Sequence, residues 1–167
     1  MLTRRGWVKS ILCLLFSSNL YADSFEIKKE NRIPNGPNGR CAWSSLETLA
    51  RHRGIKKLEG LAEAYSQGDG SATPEQVFQE CQKRGVPCHS WRNGSVERIK
   101  EACDKKLGAI AGVRELWGGR HDLHAILVTG YDKDYVYYVD TNDVEWYFRA
   151  TWSWWMHHWT GWLVILP

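Results

Sequence analysis

The hydrophobic pattern of this chain changes its period once, close to Gly108, and this change constrains the fold more than any other feature. Before Gly108 the apolar residues recur at helical spacing, whereas after it short apolar runs alternate with turn residues. Helices followed by consecutive strands with short turns indicate an α+β domain built on an antiparallel sheet. A chain of 167 residues, 43% of them hydrophobic, is long enough to form one domain with its own core.

Four helices are predicted before Gly108. The first begins at Cys41, keeps its apolar residues on a single face and ends at Gly54. A capping box at Thr73, with proline next and Gln76 three residues on, marks the start of another helix. The helix at the capping box is predicted to end at about residue 84, and the other two helices are predicted at 58–65 and 95–105.

Strands are predicted where short apolar runs lie between Gly, Asp and Asn turns. The runs are at 109–113, 124–129, 135–139, 145–148 and 162–166, with shorter candidates at 25–27 and 86–91. Residues 152–159 are rich in tryptophan and are predicted to form a short helix. We expect these aromatic side chains to close the core rather than to form a platform for carbohydrate.

The first 22 residues have the pattern of a secretory signal peptide: basic residues, a short apolar run and a small final residue. The apolar run is much shorter than the ~20 residues of a membrane span. We therefore expect an exported protein, periplasmic or extracellular, whose signal segment is removed and leaves no stable membrane insertion; a retained N-terminal anchor is the alternative. Residues 23–34 are predicted to be a loose polar leader, and 35–167 the folded domain.

The charge balance argues against a nucleic-acid partner. Lys and Arg number 22 against 19 Asp and Glu, and three of the basic residues lie in the signal segment. The remainder of the chain is therefore close to neutral and carries no basic stripe. A peptide or protein is the expected partner, and no cofactor is expected.

Four cysteines follow the signal segment. Cys81 and Cys88 flank a turn, and in an exported protein they are the first candidates for a disulfide. A zinc site formed by these two residues with His89 and Cys103 is the alternative, although the spacing matches no common zinc motif.

Cys41 is the candidate nucleophile. It follows a loop broken by Gly and Pro and begins a helix, where the helix dipole favours the thiolate that attacks carbonyl groups. The competing interpretation is a small apolar residue at the start of a core helix.

The strand-rich half offers a base for this thiol. His124 begins an apolar run, and after a turn the run 135–139 can pair back against it, which brings Asp140 near His124. A carboxylate in this position would fix the imidazole tautomer and favour an imidazolium beside a thiolate. His121 is the competing candidate for the base, and Asn142 and Asp143 are competing candidates for the group that orients the base.

Two segments resemble a known family. Residues 35–43, Asn-Gly-Pro-Asn-Gly-Arg-Cys-Ala-Trp, are similar to the papain-type pattern in which an oxyanion-binding glutamine lies six residues before the nucleophile. Residues 124–132, His-Ala-Ile-Leu-Val-Thr-Gly-Tyr-Asp, followed by Asp140, resemble the double-glycine leader peptidases of bacteriocin exporters and their stand-alone relatives. The similarity is sharp over 35–50 and 121–143.

The resemblance implies a papain-like cysteine peptidase fold, with the helical half packed on the sheet. It assigns Cys41 as nucleophile, His124 as general base and then acid, and Asp140 as the residue that orients His124. The Cys41 backbone N–H would donate to the oxyanion. No transporter region accompanies these segments, so a free-standing exported hydrolase of peptide or isopeptide bonds is expected.

Asn35 departs from the family pattern, because it stands where the oxyanion glutamine is expected. Its amide is the same donor on a side chain shorter by one methylene, and losing such a donor typically costs ~10²–10³ in turnover. Weak activity, a substitute role for Asn38, and a non-catalytic binding module all stay open. An acyl transferase that uses the same triad is a further alternative.

Overall fold

The computed structural model describes residues 24–117 and 120–167, apart from the side chains of 115–122. The predicted signal segment lies outside these residues. The helices are α1 Cys41–His52, α2 Leu61–Ala64, α3 Pro74–Lys83, α4 Val96–Asp104 and α5 Trp152–His158, with 3₁₀ turns at Lys29–Asn31 and Lys56–Leu58. The strands are β1 His89–Trp91, β2 Ala109–Trp117, β3 Arg120–Tyr131, β4 Tyr135–Asp140, β5 Asp143–Thr151 and β6 Trp159–Ile165.

The strands form one antiparallel sheet in the order β1-β6-β2-β3-β4-β5. The central hairpins β2–β3 and β3–β4 join neighbours in sequence, whereas β6 returns from the end of the chain to lie between β1 and β2. The predicted α+β class, with a helical first half and an antiparallel sheet after it, is confirmed.

One predicted helix start is confirmed, and one predicted helix is wrong. The capping box before α3 is present: Thr73 Oγ1 accepts from Gln76 N at 3.3 Å, and Gln76 Oε1 accepts from Thr73 N at 2.7 Å. The single helix predicted at 58–65 is wrong, because Gly60 has a φ of +79° and divides the segment into a 3₁₀ turn and α2. Only glycine enters this left-handed region without steric cost.

The strands β2, β3, β5 and β6 extend beyond the predicted apolar runs. For example, β6 begins at Trp159 rather than at residue 162, and β3 continues to Tyr131. The reason is that backbone pairing continues where one face of the sheet carries polar or half-exposed side chains, which a search for apolar runs does not detect.

The segment 24–34 is packed onto the domain instead of forming a loose leader. The strand predicted at 25–27 is wrong: Phe25 N donates to Thr129 O at 3.2 Å, but no ladder follows. Ile27 is fully buried, and its backbone N–H and C=O both hydrogen-bond the hydroxyl of Tyr147. This contact, across 120 residues, fixes the segment that leads to Asn35.

Two apolar clusters lie on opposite faces of the sheet, so adjacent residues of β3 point to different cores. Leu127 packs with the α1 side, whereas Ile126 packs with α4 and α5. Trp155 of α5 is fully buried in the second cluster, with other tryptophans of the tail around it, as the core interpretation predicted. Within the described part of the chain, no helix is both long and apolar enough to cross a membrane.

The remaining cysteines are buried free thiols. The Cys88 thiol donates a hydrogen bond to Cys81, and this bond lowers the pKa of Cys81 although burial opposes it. The predicted disulfide between them is therefore not formed here, although the two sulfur atoms are neighbours. Cys103 lies in the other cluster, where burial raises its pKa to about 12. Among the described residues, no group of three or more His, Cys, Asp or Glu side chains could bind a metal ion.

Candidate active site

Cys41 lies where the sequence places it, at the first position of α1. The residue before it, Arg40, provides no side-chain cap, so the N–H groups of the first turn and the positive end of the helix dipole face the thiol. The Cys41 Sγ accepts a hydrogen bond from the backbone N–H of Ala125 at 3.3 Å. Cys41 is half-buried, whereas the other described cysteines are buried, which makes it the accessible thiol of the domain.

Both backbone polar groups of Ala125, a residue of β3, form hydrogen bonds with side chains of α1. Its N–H contacts Cys41, and its carbonyl accepts from the Ser45 hydroxyl at 3.2 Å. Ser45 lies one helical turn after Cys41, so the two side chains share a face of α1. These two hydrogen bonds hold the Cys41 sulfur against Ala125, the residue next to His124 in the chain. Sequence reasoning missed Ala125, because its contribution comes from the backbone and leaves no side-chain signal.

His124 and Asp140 meet at the end of the β3–β4 hairpin. The Nε2 atom of His124 lies 2.7 Å from Asp140 Oδ1, and both residues are buried, with exposures of 6% and 8%. The hairpin register pairs Leu127 with Val139, which brings Asp140, the last residue of β4, back toward the start of the apolar run in β3. The return strand therefore brings the two side chains together as the spacing predicted.

The electrostatics of this pair favour a charged imidazole. Burial alone would lower the pKa of His124, but its hydrogen bonds and charge interactions with Asp140 and Cys41 outweigh that effect and raise the pKa to about 10. Since Nε2 contacts Asp140, Nδ1 is the nitrogen left to face Cys41. An imidazolium at neutral pH is the partner that a thiolate nucleophile needs.

Asn142 also belongs to this cluster. Its backbone N–H donates to Asp140 Oδ1 at 2.8 Å, and its side-chain nitrogen lies 3.3 Å from His124 Nε2. Asp143, the other competing orienter, instead accepts a hydrogen bond from Glu145 N at 3.3 Å. The side chain of His121 lies outside the described residues.

Asn35 lies beside the same turn, and its side chain contacts Asn142. The Asn35 Nδ2 atom donates to Asn142 Oδ1 at 2.8 Å, and the Asn35 backbone N–H donates to Thr141 O at 2.6 Å. Its own Oδ1 is buried without a hydrogen-bond partner among the described residues. Asn38, the proposed substitute, donates to Ser66 O at 2.5 Å and is thus engaged on another loop.

The protein resembles known proteins in its structure, whereas its sequence alone matches none. No protein-family profile matches the chain, and no curated protein does. Solved structures do match. A C39-like peptidase from Bacillus anthracis has a TM-score of 0.67 at 12% identity, over 81% of this chain and 92% of that one. The chain has the fold of the C39-like peptidases.

Two further peptidase structures share this fold. The peptidase domain of Streptococcus ComA, a bifunctional ABC transporter of a quorum-sensing pathway, gives a TM-score of 0.60 at 18% identity. The match covers 81% of this chain and 96% of that domain. A double-glycine motif protease from an AMS/PCAT transporter, solved with a leader peptide, gives 0.58 at 15% identity, covering 81% and 90%. The fold expected from the resemblance is confirmed, whereas the roles of individual residues stay predictions.

Proposed function

We propose that this protein is a thiol hydrolase that cleaves peptide or isopeptide bonds through Cys41, His124 and Asp140. One observation carries the proposal: His124 contacts Asp140 through one ring nitrogen, and its pKa is raised by a hydrogen bond to Cys41. A nucleophile, its base and the group that orients the base therefore form one connected chain, which is the arrangement that covalent catalysis requires.

In the first step the Cys41 thiolate attacks the substrate carbonyl, and the carbonyl oxygen takes up negative charge. The backbone N–H of Cys41, which has no acceptor within its helix, and the amide of Asn35 are the proposed donors to that oxygen. The His124 imidazolium protonates the leaving amine, and a thioester forms on Cys41. His124 then removes a proton from water, which attacks the thioester and releases the acid.

The comparison with a protease bound to a leader peptide supports a proposal for the substrate class. That protease is described by a double-glycine motif. We propose that the present protein accepts an extended peptide with small residues, such as Gly-Gly, before the cleaved bond. Cys41 is half-buried, and residues without side chains can approach a half-buried thiol more closely than larger ones.

Two measurements test this function. Iodoacetamide should label Cys41 of the native protein first, and His124→Ala should slow this labelling. An acetyl-Leu-Gly-Gly coumarin amide should be cleaved faster than its Ala-Ala counterpart, with a thioester on Cys41 visible by mass spectrometry after acid quenching. Labelling without any cleavage or thioester would favour the binding module. A product joined to added hydroxylamine in preference to water would favour the transferase.

Export is the second part of the proposal, supported by the pattern of the first 22 residues. Fusing these residues to alkaline phosphatase, which is active only after export, should give activity in intact cells. A fusion without this segment is the control, and equal activity of the two fusions would refute export through it.

A further inference from the structure

The side chain of Asn142 contacts two groups of the proposed catalytic machinery at once. One amide atom lies 3.3 Å from Nε2 of His124, and the other lies 2.8 Å from the amide of Asn35. The backbone N–H of Asn142 is meanwhile fixed on Asp140 at 2.8 Å. A single residue, anchored on the orienting carboxylate, therefore connects the base to the candidate oxyanion donor.

The protonation of His124 decides which way the amide of Asn142 must face. Nε2 carries the proton that it donates to Asp140, so it cannot also accept a proton from the Asn142 nitrogen. Rotating the Asn142 amide by half a turn removes this conflict, because its oxygen then shares the Nε2 proton. Amide oxygen and nitrogen are assigned from such networks, since their shapes are nearly the same.

This rotation sets the orientation of Asn35 in turn. The Asn142 nitrogen now faces Asn35 and needs an acceptor, so Asn35 must present its oxygen. The nitrogen of Asn35 then occupies the buried position where an unpartnered oxygen otherwise lies. A buried amide N–H₂ without a partner is costly, so this orientation is favoured once an acceptor reaches it, and the acceptor that we assign to it is the carbonyl oxygen of a substrate that enters the site.

We propose that Asn142 is a positioning residue that couples the triad to the oxyanion site. Its oxygen holds the Nε2 proton of His124, and its nitrogen holds Asn35 with the donor turned toward the substrate. The side chain of Asn35 is one methylene shorter than that of the expected glutamine, and fixing it in this orientation compensates for its shorter reach. The inference rests on the proposed hydrolase function and adds a residue to it.

The test compares two reactions of Cys41, of which only one needs a donor to an oxyanion. Acylation by p-nitrophenyl acetate builds charge on a carbonyl oxygen, whereas alkylation by iodoacetamide does not. We expect Asn142→Ala to lower the acylation rate constant by about 10²-fold, as for a lost oxyanion donor, and to lower alkylation much less. Asn35→Ala should give the same loss, and the double variant should lose no more than either single variant.

Three further variants sharpen the result. Asn142→Asp keeps the shape but offers only oxygens, so it turns the Asn35 nitrogen away and should also lose acylation. Asn35→Gln supplies the longer side chain, so adding Asn142→Ala to it should cost little. Asp143→Asn is the control from the same turn, since its side chain bonds Glu145 N and should leave both rates unchanged.

The outcomes separate this inference from the proposed function. Wild-type protein that forms no acetyl-enzyme would refute the hydrolase function itself. Wild-type acylation that survives in Asn142→Ala and Asn142→Asp would overturn only the role of Asn142. An equal fall of acylation and alkylation in both variants would also overturn it, because Asn142 would then act through His124 or the fold alone and not through the oxyanion donor.

Discussion

Replacing Asp140 with asparagine removes the charge that faces His124 while keeping an oxygen at hydrogen-bond distance from Nε2. Burial lowers the pKa of His124, but Asp140 and Cys41 outweigh it and raise the pKa from 6.5 to about 10, which corresponds to about 5 kcal/mol in favour of the imidazolium. Removing one neighbouring charge typically moves a pKa by about 1 to 3 pH units. We therefore expect Asp140→Asn to lower the pKa of His124 by that amount, which leaves the contribution of Cys41.

The assay is a pH titration of the histidine ring nitrogens by NMR, with His124 identified from the spectrum of a His124→Asn variant. Wild-type His124 should stay charged through neutral pH and titrate near pH 10. The reasoning would be refuted by a wild-type pKa near 6.5, or by an Asp140→Asn value within half a unit of wild type. Asp143→Asn, in the same turn, is the matched control and should leave the titration unchanged.

The same shift has a consequence for stability. The pKa of His124 is higher in the folded state than in the unfolded state, so its contribution is fully present below pH 6.5 and is lost as the pH rises through about 10. Urea unfolding should therefore show a falling free energy of unfolding across that window. In Asp140→Asn the fall should be smaller and should end at a lower pH.

Three further predictions concern single residues. Cys41→Ala should reduce thiol labelling of the native protein to background, because the other described cysteines are buried; persistent labelling at another site, located by peptide mapping, would contradict this. Glu47→Gln should lower the free energy of unfolding by about 1–3 kcal/mol in urea, since Glu47 is only 2% exposed and accepts from Ala62 N at 2.9 Å. Gly70→Ala should slow acylation of Cys41 by p-nitrophenyl acetate, because a Cβ there would lie 2.8 Å from Asn38 O in the loop before the thiol; an unchanged rate would show that this loop shifts freely.

Much of the candidate site could be predicted from the sequence because it depends on short-range rules. A cysteine at a loop–helix junction is recognisable from Gly and Pro followed by helical periodicity. His124 and Asp140 are only sixteen residues apart on two arms of one hairpin, and pairing of neighbouring strands brings them together. The cap of α3 is equally local. The α+β class followed from the single change of hydrophobic period.

Other features depended on contacts between distant parts of the chain. The segment 24–34 has no strand pattern of its own and is fixed by Tyr147, 120 residues away. The break at Gly60 depended on a backbone conformation that a helical apolar pattern does not reveal.

The sequence by itself determined the fold class, the candidate nucleophile and the proximity of the candidate base to its carboxylate, since each follows from local periodicity and strand pairing. Only the tertiary structure placed the backbone of Ala125 against Cys41, across 84 residues, and the amide of Asn35 against Asn142, across 107. These contacts are set by how α1 docks on β3 and by which donors and acceptors then remain unpaired. Hydrogen-bond partners of this kind follow from packing, and no periodicity along the chain encodes them.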